Sequence, residues 1–255
     1  MFYKEIDNSS NWKGSGGVEA EVENNEQWEE TTICEPIRKI EFRNVSLFFP
    51  GQKEAAIKNV NMTISAGEKV FFLGEKNAGK SILMKMILGM YKPSKGKIYI
   101  NDVDIDKLDK KQLRKQIGIV PEDIMLYNKS VHDNLTLGRE DISEEQVLES
   151  TKRTDVHEYI ESLSEKYNTQ ITDFGMKMPT DYRQRIGIAR TMLQQYSLII
   201  LDGVLEQLNS EKMEAITGFF MKTPCTCCFL GRKKIDTINE KIAQHIIMKN
   251  GAIIG

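Results

Sequence analysis

With 255 residues, 28% charged and 40% hydrophobic, the chain can bury the core of one large domain, or of one domain with an extension. Its charges nearly cancel, at a formal net −2, which removes the electrostatic case for nucleic acid as a main partner. Apolar runs such as Leu198–Leu201 and Cys227–Leu230 are far too short to insert across a bilayer, and no N-terminal stretch reads as a signal peptide, so a cytoplasmic protein, soluble or membrane-peripheral, is expected.

Residues 1 to about 36 are polar, with Gly14, Gly16 and Gly17 followed by a glutamate-dense run from Glu19 to Glu30. No apolar periodicity runs through them, so they read as a flexible acidic leader, with Trp12 and Trp28 as isolated aromatics. From Ile40 the character changes. Ile40–Val45 alternates as a half-buried strand does, Leu47-Phe48-Phe49 continues it to the Pro50-Gly51 turn, and Ile57–Ile64 reads as a second strand. Ala66-Gly67 turns the chain into Val70-Phe71-Phe72-Leu73, a strand that ends in the stretch on which the rest depends.

That stretch is Gly74-Glu75-Lys76-Asn77-Ala78-Gly79-Lys80-Ser81, followed by the helical pattern Ile82–Leu88. Strand, glycine-bounded loop and helix come in the order and spacing of a phosphate-binding loop. Gly74 and Gly79 would permit backbone angles closed to other residues, so that successive N–H groups turn inward around phosphate oxygens. The helix N-terminus adds unpaired donors. Lys80 would reach the outer phosphates and the Ser81 hydroxyl would bind Mg²⁺.

Beyond the loop helix, Pro93 and Gly96 break the pattern, and Lys97–Ile100 and Ile117–Val120 read as strands around a charged helix, Lys107–Gln116. Pro121 stops the second strand. A helical middle follows: Ser143-Glu144-Glu145-Gln146 is a capping box starting a helix to about Lys152, a second lies near Asp155–Leu163, and a long one spans Arg183–Leu193. Strands then return at Leu198–Leu201, ending at Asp202, at Cys225–Leu230 and at Ile246–Met248. Strands on both sides of a helical insert, with a phosphate loop after an early strand, describe an α/β nucleotide-binding core. Cys225, Cys227 and Cys228 lack zinc-site spacing and read as small apolar residues of a buried strand, with Cys227 and Cys228 on opposite faces. The three histidines are scattered and carry no role.

An apolar strand ending in Asp202, far downstream of the loop, is what Mg²⁺ positioning needs. In this order the motifs resemble the ATP-binding cassette domain of transporters over residues 39–255, in particular the exporter, type I secretion and bacteriocin-export cassettes. The resemblance rests on Ile40–Ser46, Pro50-Gly51, Ala56–Val60, Ile117–Pro121 and Arg183–Arg190 besides the phosphate loop. It implies a P-loop NTPase (RecA-like) α/β core with an antiparallel β-subdomain and a helical insertion at about 123–190, the whole cassette spanning 37–255. It implies ATP and Mg²⁺ as ligands, held by Phe49 at the adenine-stacking position, by the loop from Gly74 to Ser81 with Ile82 after it, and by Asp202 on the metal. It also implies a transmembrane subunit or domain as partner, a cytoplasmic position peripheral to the inner or plasma membrane, and a second cassette, like or unlike, as dimer partner.

The departures from that family pattern are as informative. Where the family has Leu-Ser-Gly-Gly-Gln, this chain has Met178, Pro179, Thr180, Asp181 and Tyr182 before Arg183. Pro179 removes an N–H donor, Thr180 and Asp181 put side chains where backbone must approach a partner's γ-phosphate, and Asp181 adds a repulsive charge. The residue after Asp202, a water-polarising glutamate in the family, is Gly203. The histidine expected after the strand Cys225–Leu230 falls at Gly231, and the aspartate-loop position is Asn209. The glutamine that approaches γ-phosphate and Mg²⁺ is Glu122, a carboxylate that would ligate the metal or, second to that, serve as a displaced base. Asn77 replaces a loop glycine, and Asn tolerates left-handed angles. The expected protein is therefore an exporter-type cassette that binds MgATP and is impaired in hydrolysis, or alternatively a pseudo-ATPase module that keeps ATP as a structural ligand.

Overall fold

In the computed structural model the described residues are 36–207, 210–233 and 242–255. The acidic leader with its two tryptophans, and Asn209, lie outside them.

Two sheets are built. The first is antiparallel, of β1 (Lys39–Leu47), β2 (Ile57–Ser65), β4 (Lys95–Ile100) and β5 (Val103–Asp104), in the order β2-β1-β4-β5. The alternation of β1 buries Ile40, Phe42, Val45 and Leu47, and the register slips between Phe42 and Val45, where Asn44 takes φ 51°. Gly96 answers that bulge, because a Cβ there would lie 2.3 Å from the Asn44 carbonyl oxygen.

The second sheet contains β3 (Lys69–Leu73), β6 (Ile117–Val120), β7 (Leu198–Asp202), β8 (Thr226–Gly231), β9 (Gln244–Lys249) and β10 (Ala252–Ile253), in the order β10-β9-β3-β8-β7-β6. It is parallel except at β10, which runs antiparallel to β9. Strands covered on both faces read as unbroken apolar runs, and Leu198–Leu201 of β7 is buried throughout. Cys228 faces the core shared with the antiparallel sheet, whereas Cys227 faces the core formed with Ile188, Ile216 and Phe220. Registers Leu73↔Gly231 and Asp202↔Leu230 bring the C-terminal ends of β3, β7 and β8 to one level. That edge carries the candidate site.

A helical insertion lies between β6 and β7: α3 (Val131–Thr136), α4 (Glu144–Arg153), α5 (His157–Glu161) and α6 (Thr180–Met192) pack around Leu126, Leu135, Val147, Ile160 and Ile186. The Ser143 capping box forms as the sequence suggests, the Ser143 hydroxyl accepting from Gln146 N at 3.2 Å and the Gln146 side chain accepting from Ser143 N at 2.8 Å. Asn134, fully buried, joins the insertion together: its amide nitrogen donates to the carbonyls of Tyr127 and Ser130, both at 2.9 Å, and its oxygen accepts from Arg190 Nη2 of α6 at 2.8 Å.

Some elements differ from the sequence reading. The charged helix begins later, as α2 (Lys110–Lys115), because Asp109 accepts from the amides of Lys111 and Gln112 and so caps it. Residues Ile105–Lys107 before it form a single 3-10 turn. The sequence reading passed over α3, which is only six residues long, and α7 (Ser210–Lys222), which buries Ile216 and Phe220 four residues apart.

Candidate functional site

The loop after β3 leads directly into α1 (Lys80–Ile87). Gly79 has φ 107°, a conformation that a side chain disfavours, and no side chain caps the helix that it starts, so the first-turn N–H groups keep their donor capacity. Gly74 is required for a different reason from the one the sequence suggests. Its φ is not positive; a Cβ there would lie 2.5 Å from the Met248 carbonyl oxygen of β9. Asn77 takes φ 65°. The buried Lys80 ammonium donates to the carbonyls of Gly74 and, at 3.0 Å, Glu75. Gly251 N donates to Ala78 O at 3.0 Å, which fastens the loop to the β9–β10 turn.

A cavity of about 260 Å³ opens over this loop. It is lined by Lys76 to Ile82 of the loop, by Glu122, Asp202 and Gly203, and by Leu230, Gly231 and Arg232. Asp202, at the end of β7, is set beside the Ser81 hydroxyl, which donates to it. Burial pushes the Asp202 carboxyl above the ordinary aspartate range; the Ser81 hydrogen bond and Lys80 pull it back down, and neighbouring Glu122 pushes it up. Glu122 follows Pro121 at the end of β6, and its backbone carbonyl accepts from Gln184 Nε2 of α6 at 2.8 Å. Gly203 has φ 71°, and the space above its Cα is bounded by Glu122, whose Cβ, Cγ and Cδ would all lie 3.5 Å from a Cβ built there. The donor set suits a magnesium-bound polyphosphate: a cradle closed to Cβ atoms, uncapped helix donors, a buried ammonium, and a carboxylate paired with a hydroxyl.

The family model described as "ABC transporter" matches residues 57–205, more than half of the chain. This chain belongs to the ABC transporter family. Similar relatives include ABC transporter B family member 14 of Arabidopsis thaliana, 36% identical over 219 residues, or 84% of this chain and 17% of that protein. The alpha-hemolysin translocation ATP-binding protein HlyB of Escherichia coli O157:H7 is 34% identical over 219 residues, covering 84% of this chain and 30% of its own. The fold is similar to that of a bacterial Atm1-family ABC exporter solved with ATP bound, with a TM-score of 0.77 at 22% identity, covering 89% of this chain and 41% of that one. The chain thus spans less than half the length of these relatives. It is an exporter-type ABC transporter ATP-binding domain, and the family implies nucleotide binding.

Within this ABC transporter domain, the segment before Arg183 folds as the first turn of α6, with Pro179 at the N-cap. The buried Arg183 guanidinium gathers that segment inward, donating to Met178 O at 2.8 Å and to the Thr180 hydroxyl at 3.2 Å. Asp181 meets Arg185 one turn further along its own helix, at 3.3 Å, and Arg185 is also held by Asp155. Its charge is partly compensated within the chain, which softens the repulsion expected from the sequence. Phe49 is not part of the phosphate cavity. Its half-buried ring packs edge-on against Tyr91, with centroids 5.4 Å apart. Gly74 and Glu75 support the cavity from beneath, through the carbonyls that receive Lys80.

Sequence reasoning missed Arg232. It stands one residue beyond Gly231, and its Nη2 lies 3.0 Å from Glu122 Oε1. The signal available was the end of the apolar run at Gly231, which marks where the strand stops and the next side chain becomes exposed.

Proposed function

We propose that this domain binds MgATP at the loop Gly74–Ser81 and hydrolyses it slowly or not at all. Residues 37–255 form the cassette, with 123–190 as its helical insertion and 1–36 as a leader. Lys80 and the loop amides hold the phosphates, Ser81 and Asp202 hold the metal with Glu122 beside them, and Phe49, steadied by Tyr91, offers a face to adenine. Bound Mg²⁺ supplies charge neutralisation on the phosphates.

The observation that carries the impaired-hydrolysis reading is Gly203. The residue after the metal-side aspartate has no side chain to polarise water, and Glu122, the carboxylate that lies along it, is engaged by Arg232. Loss of a general base costs roughly 10²–10⁴-fold in rate.

A transmembrane subunit or domain is the proposed partner. Among the described residues no helix is long and apolar enough to cross a membrane. Met125 and Met176 are exposed at 58% and 66%, beside Phe174 at 37%. Their two segments are fastened together by Leu126 N donating to Phe174 O at 3.0 Å and by Phe174 N donating to Asn128 Oδ1 at 2.8 Å. Exposed apolar side chains on two segments held together in this way suit a protein partner.

A fluorescent ATP analogue titrated against the wild type and Lys80→Ala tests binding: saturation in the wild type and loss in the variant are expected. Equal affinities would remove ATP from the account. Phe49→Ala should weaken the complex by roughly 1–3 kcal/mol, the range for base–aromatic stacking. Single-turnover hydrolysis tests the rest. The expected wild-type rate lies well below about 1 s⁻¹; a robust rate that Glu122→Gln abolishes would make Glu122 the working base and end the impaired reading.

A further inference from the structure

The bridge between Glu122 and Arg232 does more than occupy a carboxylate, because of where it stands in the sheet. Glu122 leaves the end of β6 and Arg232 leaves the end of β8, and these two strands flank β7 in the sheet. The ion pair therefore spans the end of β7 above Asp202 and Gly203, on the cavity side. In open α/β sheets this is the edge where ligands sit. The Glu122 side chain lies along Gly203, its Cβ, Cγ and Cδ each 3.5 Å from where a Cβ would stand.

The two side chains are 54% and 44% exposed. An ion pair so open to water contributes little to folding and opens at small cost. A terminal phosphate is a better partner for a guanidinium than one exposed carboxylate: both can meet the planar fork bidentately, but the phosphate brings more charge. Magnesium, in turn, is a better partner for the carboxylate that the guanidinium leaves.

We infer that Arg232 is a nucleotide-binding residue that exchanges Glu122 for the terminal phosphate of a bound nucleoside triphosphate. The Glu122–Arg232 bridge is the resting arrangement; in the loaded arrangement Arg232 holds phosphate and Glu122 turns to the metal. No covalent step is involved. Arg232 lines the cavity together with Glu122 and Asp202, on the metal side, where the terminal phosphate of a magnesium-bound triphosphate would lie and a diphosphate would not reach, so it distinguishes the two. This inference rests on MgATP binding at Gly74–Ser81.

The test compares fluorescent ATP and ADP analogues on wild type, Arg232→Ala, Arg232→Lys, Glu122→Gln and Lys80→Ala, with thermal unfolding to verify that each variant is folded. Arg232→Ala is expected to weaken MgATP by about 10- to 100-fold, the range of a charge-assisted hydrogen bond. It should leave MgADP within about 3-fold, while Arg232→Lys recovers part of the loss. In EDTA, without metal, Glu122→Gln should tighten ATP, because it removes the competitor for Arg232 and a negative charge from the cavity. If Arg232→Ala weakens ATP and ADP alike or neither, while Lys80→Ala still abolishes binding, the exchange is wrong and MgATP binding stands. Metal-free ATP affinity unchanged or weakened by Glu122→Gln also overturns the exchange. Absence of saturable binding to the wild type overturns both readings together.

Discussion

Gly203 has a second property besides the missing carboxylate. At φ 71° it occupies the left-handed region, and its N–H donates to Leu230 O at 3.0 Å, which holds the backbone there. Restoring a glutamate is therefore not a simple repair. The new Cβ would make ordinary contact with Glu122, but the angle costs about 1–2 kcal/mol and two carboxylates would share one wall. Gly203→Glu should lower the melting temperature by about 2–4 °C per kcal/mol. Turnover should appear more clearly in Gly203→Glu combined with Glu122→Gln, which relieves the repulsion. Single-turnover assays read this, and a double variant as inert as the wild type would show that the lesion lies elsewhere. Cys225 gives another prediction at this scale. A hydrogen bond from Cys227, with further help from Thr223 and the nearby Lys69, holds its thiol down at about 6, against the opposing effect of burial. Burial pushes Cys228 up to about 12, and Cys227 is raised as well. A depressed thiol pKa means thiolate accumulates as pH rises through that value. Iodoacetamide labelling of the native protein, mapped by peptide mass spectrometry, should reach Cys225 before Cys227 and Cys228, with a rate that climbs from near pH 6. Labelling that begins only above pH 8 would contradict it.

At the scale of elements, α4 and α6 start in different ways. The Ser143 capping box pairs two backbone N–H donors with side-chain oxygens reciprocally, so Ser143→Ala should cost about 1 kcal/mol in urea unfolding with an unchanged m-value. No change would mean that α4 is held by Val147 in the insertion core alone. The start of α6 has no side-chain cap; Pro179 begins it and Arg183 ties Gly175, Met178 and Thr180 together from inside. The sequence reading treated this segment by what it lacks for a partner's phosphate. The structure adds that it is tied together internally, through an arginine that sequence reasoning used only as a family marker.

For the whole molecule, the question is whether two copies close around nucleotide, as the family resemblance implies for a competent cassette. Pro179 donates no N–H and Asp181 puts a carboxylate in the first turn of α6, so the face that would grip a partner's γ-phosphate lacks one donor and carries a negative side chain. Light scattering with and without MgATP should give the same mass. An ATP-dependent dimer that Lys80→Ala abolishes would show that this face still works.

The sequence by itself determined the order of the parts. Periodicity of two in Ile40–Val45, unbroken apolar runs in β3 and β7, and the spacing from Gly74 to Ser81 are local patterns, and each follows from backbone geometry that neighbouring residues dictate. Fold class and family were legible for that reason. Only the tertiary structure decided what depends on residues far apart in the chain. Gly74 is glycine because the Met248 carbonyl approaches it, Arg185 is held by Asp155 from another helix boundary, and Glu122 meets Arg232 across the end of β7. Those contacts join positions up to 174 residues apart (248 − 74 = 174), as parallel strands with long crossovers require, and no local pattern encodes them.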